Sequence, residues 1–121
     1  MRSIIQRTIS VEQKKLDQFT DRVAEGDIYH AIKWDATSAI VASEKLRILH
    51  SALDCADHVD QLTAFLKASI VASQDAMDRF DPTSSPTSSS ACATRSLYLA
   101  NREVAALCGY LLAFVNDQPA S

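Results

Sequence analysis

Apolar residues recur at spacings of three and four along most of this chain. Leu16, Phe19 and Val23 form one series. Ile28, Ile32, Ala36, Ala39, Ser43, Leu46, Leu49 and Leu53 form a second. Val59, Leu62, Leu66, Ile70, Ser73, Met77 and Phe80 form a third. Leu97, Val104, Leu107, Leu111 and Phe114 make a fourth, with Cys108 and Val115 beside it. Such spacing puts each series on one face of an α-helix. The glycine and proline punctuation that brackets strands is missing.

Local signals set the predicted helix ends. Ser10 stands where an N-cap belongs, and Gln13 completes a capping box. The first helix is therefore expected from Val11, with residues 1–9 before it either packing their isoleucines on the domain or serving as an N-terminal arm. Gly26 supplies its end, and Asp27 caps the second helix. Gly26 and Pro82 bracket a stretch with neither glycine nor proline. One helix from 28 to 80 would be about 80 Å long, too long for a domain of this size. A turn is expected between Asp54 and Asp60, with Asp54 or Asp57 capping the next helix. An unbroken helix is the alternative.

Residues 81–90 contain only Asp, Pro, Thr and Ser. Pro82 stops the helix before it, and the hydroxyl residues favour loops. A flexible linker is read at 81–92, and a C-terminal helix at 93–116. The fold expected over residues 1–121 is a single all-α domain: a small bundle of about four helices, with a Ser/Thr/Pro-rich linker before the last.

Ile-Val-Ala-Ser occurs twice, at 40–43 and 70–73. If helices two and three are antiparallel, both stretches lie equally far from the turn. They would face each other, with Ala39, Ser43, Ser69 and Ser73 allowing a close crossing.

Composition narrows the classes. The chain is 47% hydrophobic and 22% charged, ordinary for a globular protein, and its net charge is -3. Arg2, Arg7, Lys14, Lys15 and Arg22 interleave with Glu12, Asp17, Asp21 and Glu25, a mixed surface rather than a basic track. Lys33, Lys45 and Arg47 are too few for a recognition helix. No nucleic-acid partner is expected. Cys55, Cys92 and Cys108 lack CxxC spacing and read as reduced thiols. The N-terminus lacks a signal-peptide pattern. The run Ala105–Val115 is too short to span a bilayer. A cytoplasmic protein without a membrane partner is expected.

Catalytic signatures are absent from the sequence. Asp54 and His58 stand one helical turn apart, but a metal needs further converging ligands. Cys55 lies near His58 without the geometry a thiolate–imidazole pair demands. With glycine only at 26 and 109, no phosphate-binding loop is available. No cofactor, metal or catalytic residue is assigned. Asp54, Asp57, Asp60, Asp75, Asp78 and Asp81 outnumber Lys67 and Arg79, reading as a solvated acidic surface.

The chemistry left is contact. Tyr29 and Trp34 stand off the main stripe of helix two, as interface aromatics do. From Val104 to Val115 every residue is apolar or glycine. A helix apolar all round is buried all round, by its own bundle or by a partner. Leu107, Leu111, Leu112, Phe114 and Val115 join Tyr29 and Trp34 as interface candidates. The function expected is non-enzymatic: a small helical regulator, inhibitor, anti-activator or immunity-type protein that binds a protein partner and forms a homodimer. The alternatives are a structural or secretion-chaperone-like protein, and a small helical-bundle enzyme or ligand-binding protein.

Overall fold

A computed structural model describes residues 1–79 and 89–117, apart from the side chains of Trp34, residues 89–95 and Asp117. Helix α1 runs Arg2–Ala24, α2 Ile28–His30, α3 Ala36–Asp54, α4 Val59–Asp78 and α5 Ser89–Asp117. A π-helical segment, Ala31–Asp35, joins α2 to α3. The fold is the expected all-α bundle, and no strand occurs among the described residues.

Two predicted starts are corrected. The first helix begins at Arg2, so residues 2–9 belong to α1 and are no arm. Gln13 donates to Asp17 Oδ1 at 3.0 Å instead of closing a capping box on Ser10. Ile5 drives the extension: it is fully buried, with Ile4 and Ile9 packed beside it. The last helix likewise begins at Ser89, within the predicted linker. The rest of that linker, with Phe80, lies outside the described residues.

Other boundaries fall as expected. Gly26 ends α1 with φ +81°. Its N–H bonds Val23 O and that of Asp27 bonds Arg22 O, the paired closure of a Schellman end. Asp27 caps α2: its Oδ1 accepts from His30 N at 3.4 Å and lies 2.7 Å from His30 Nδ1. The turn after α3 spans residues 55–58. Neither aspartate caps α4, because His58 holds that position without a side-chain cap. Asp57 instead accepts from Arg2 Nη2 at 2.7 Å, tying the start of α1 to the turn.

Both aspartates ionise below the usual carboxylate range. Arg2 stabilises the Asp57 anion mainly by its hydrogen bond, and His30 does so for Asp27. A depressed folded pKa gives stabilisation that is present above the unfolded value and lost as pH falls through the folded one. An NMR titration of Asp57 should show a midpoint below the ordinary value of about 3.9. Arg2→Gln should move it back up.

Helix α3 lies between α1 and α5, while α4 runs along α5. The core comprises Ile5, Ile48, Leu49, Leu62, Leu66, Val104, Cys108 and Leu111, with Ala52 and Ala56 between them. Helices α3 and α4 meet only near their turn. The two Ile-Val-Ala-Ser stretches therefore do not cross. Ile40 and Ser43 of the first stretch face Leu16 and Phe19 of α1 instead, and α4 packs on α5.

Burial pushes the Cys108 thiol up to about 11. The half-buried Cys55 thiol is raised too, chiefly by burial. It donates to Ser51 O and Ala52 O, not to His58. Only thiolate reacts quickly with alkylating reagents. Mass spectrometry after brief labelling at mildly alkaline pH should find Cys55 modified and Cys108 untouched until the protein unfolds. Equal labelling of both would contradict this packing.

Candidate functional site

The π-helical segment decides which residues of the second rod face solvent. Each α-helical residue turns the chain about 100°. A π-turn takes up one residue more than an α-turn, so what precedes it is rotated by roughly a quarter turn. In a regular helix Ile28 and Ile32 would align with Ala39, Ala42 and Leu46. Here Ala31 points inward and is fully buried, while Ile28 and Ile32 are 54% and 64% exposed. The stripe assigned to the core is thus corrected by one register step. Below the π-turn the inward residues are Ala39, Ala42, Leu46, Ile48, Leu49 and Ala52.

The rotated stripe continues into a groove. Leu16 and Phe19 of α1 face Ala36, Ala39, Ile40 and Ser43 of α3 across a mainly apolar cleft of about 350 Å³. Glu44 stands on its rim and pairs with Arg47. Ile40 remains 38% exposed, and Val23, further along α1, 43%. Arg22 Nε lies 2.7 Å from Asp35 Oδ2, off the hydrogen-bonding direction, and binds the end of α1 to the π-turn.

The opposite side of α3 carries charge. Glu12, Lys15, Lys45, Arg102 and Glu103 line a pocket of about 340 Å³ between α1, α3 and α5, with Thr37, Ser38, Val41 and Leu99. Glu12 is only 4% exposed. Its Oε1 accepts from Lys45 Nζ at 3.3 Å and Lys15 Nζ at 3.4 Å. Its Oε2 is buried and has no hydrogen-bond partner. Lys45 Nζ also lies 3.8 Å from Glu103 Oε2. One lysine so links three helices.

By sequence Glu12 and Lys15 belong to a surface of mixed charge. A signal was available, since Ile5, Ile9, Glu12, Leu16 and Phe19 repeat at four, three, four and three. Glu12 occupies an apolar slot.

The interface candidates are scattered. Leu111 is fully buried, so in this chain it is core rather than docking surface. Leu107, Leu112 and Val115 are partly buried against that core. Phe114 packs edge-on to Tyr110, ring centroids 5.0 Å apart. Tyr29 is 66% exposed on α2, beside Ile28 and Ile32 in sequence. It meets the His30 ring edge-on, and Lys33 Nζ lies over its face. The Trp34 side chain is outside the described residues.

Among the described residues, no three His, Cys, Asp or Glu converge to hold a metal. One segment, Ser96–Asn116, has the length and hydropathy (mean 1.2) of a membrane-crossing helix. Its Ala100, Val104, Cys108 and Leu111 pack inward. No known family, curated protein or solved structure matches this chain.

Proposed function

We propose that this is a non-enzymatic cytoplasmic protein that binds a protein partner stoichiometrically and thereby regulates or inhibits it. The observation that carries the reading is the pair Ile28 and Ile32, turned out of the core by the π-helix, followed along the same rod by the groove that Ala36 and Ile40 form with Leu16 and Phe19. A π-turn forgoes regular α-helical geometry and recurs at functional positions. Here it leaves two isoleucines 54% and 64% exposed, and covering what remains of each would contribute about 1–2 kcal/mol. A groove between two helices suits an amphipathic helix, which seats apolar residues at positions i, i+3, i+4 and i+7.

The test is affinity capture from native cells with wild type and an Ile32→Asp/Ile40→Asp variant. Ile32 is mostly exposed and Ile40 partly so, and the variant should keep its circular dichroism and a cooperative melting transition. A partner held in fixed ratio by wild type should be lost. Retention by a folded variant would contradict the groove as docking surface.

A specific feature also favours a homodimer. Ala106, Gly109, Tyr110 and Ala113 are exposed on the outer side of α5. No charge occurs from Val104 to Asn116. A methyl group at Gly109 would meet nothing within 4 Å. Packing inside the chain therefore does not demand glycine, which costs about 1 kcal/mol in a helix interior. Light scattering should give a dimer at micromolar concentration, and Gly109→Glu a folded monomer. A wild-type monomer across the range accessible to the method would exclude the dimer while leaving the groove reading intact.

A further inference from the structure

The groove makes no use of the charged pocket on the other side of α3. That pocket has two unmet needs. Three cations, Lys15, Lys45 and Arg102, face two carboxylates, Glu12 and Glu103, so one positive charge is unbalanced. Glu12 Oε2, on a residue only 4% exposed, accepts no hydrogen bond. An unsatisfied buried acceptor costs about 1–3 kcal/mol, more when charged. Helix packing alone would be served better by an apolar residue in that slot.

We infer that the pocket between α1, α3 and α5 binds a small acidic amino acid, of the aspartate or glutamate class. Its ammonium pairs with the Glu12 carboxylate, whose Oε2 is closed to solvent in this conformation and turns toward the pocket on binding. Its carboxylates meet Arg102 and Lys15, whose side chains are 58% and 47% exposed and so within reach of a solute. The Thr37 and Ser38 hydroxyls on the pocket wall offer further donors to the same carboxylates. Its net negative charge balances the lining. A volume of about 340 Å³ is near the lower end of ligand pockets, which suits a molecule of this size.

Calorimetry on the full chain would use L-glutamate and L-aspartate as probes. Glutarate, which has the carboxylates without the amine, and 1,5-diaminopentane, which has amines alone, are the controls. Saturable binding of at least one amino acid, about tenfold or more tighter than either control, is expected for a charge-assisted contact. Glu12→Gln should remove that preference for the amine and leave glutarate unchanged. If Glu12→Gln does not fold, Arg102→Gln on the exposed rim takes its place and should weaken amino acid and glutarate together. Absence of saturable binding to millimolar concentration overturns the inference. So does glutarate binding as tightly as glutamate, or an affinity that ignores both substitutions.

Discussion

Replacing Lys45 with alanine should destabilise the bundle by about 3–5 kcal/mol, the usual cost of stranding one member of a buried ion pair. Lys45 is 14% exposed at its side chain and Glu12 6%. The substitution leaves the Glu12 carboxylate with a single contact, to the half-exposed Lys15. It also removes the cation that α5 approaches through Glu103. A domain of ordinary stability holds about 5–15 kcal/mol in all, so the variant should melt far below wild type. The partner experiment is Glu12→Leu combined with Lys45→Met. Apolar residues of similar size often replace a buried pair at no loss, and the double variant should melt near wild type. Equal destabilisation by single and double variants would mean that packing, not desolvated charge, sets the cost.

Leu111→Ala should cost about 2–5 kcal/mol, the range for emptying a packed leucine site. Leu111 is fully buried beside Cys108 and Val104. This loss should appear in chemical denaturation at every protein concentration, because the side chain packs within its own chain. A destabilisation seen only at concentrations that dimerise the protein would return Leu111 to the interface.

The contrast between Leu111 and Ile32 explains what the sequence could and could not convey. Spacing located four helical rods and the turn after Asp54, because apolar periodicity and the Gly26 and Asp27 signals are local. The inward face of α5 was legible in part: Val104 and Leu111 are buried as expected, but Leu97 is 51% exposed and Ala100 and Cys108 take the inner positions. Phase was lost in the second rod, where Ile28 and Ile32 fit the regular stripe and nothing in residues 31–35 announces a π-turn. The start of α1 was missed for the opposite reason. Ser10 is a good cap by type, yet burying Ile5 outweighs the roughly 1 kcal/mol that a cap contributes.

Pairing between helices was the least legible. The repeated Ile-Val-Ala-Ser stretches invited an α3–α4 crossing, because adjacent helices usually pack together. The apolar length of α5 places it against both instead. The charged pocket was hidden for a related reason. Glu12, Lys45 and Glu103 are remote in sequence, and only the packing of α1, α3 and α5 brings them within ion-pair reach.

The central claim is that the face opened by the π-turn is where a second protein docks. Site-specific photocrosslinking in native cells tests it most directly, with the photoreactive residue placed at Ile32, at Ile40, or at the exposed His50 on the same rod. The account predicts one defined adduct of this chain with another polypeptide from positions 32 and 40, and none from 50. Adducts from position 50 alone, or the same adducts from all three positions, would contradict it.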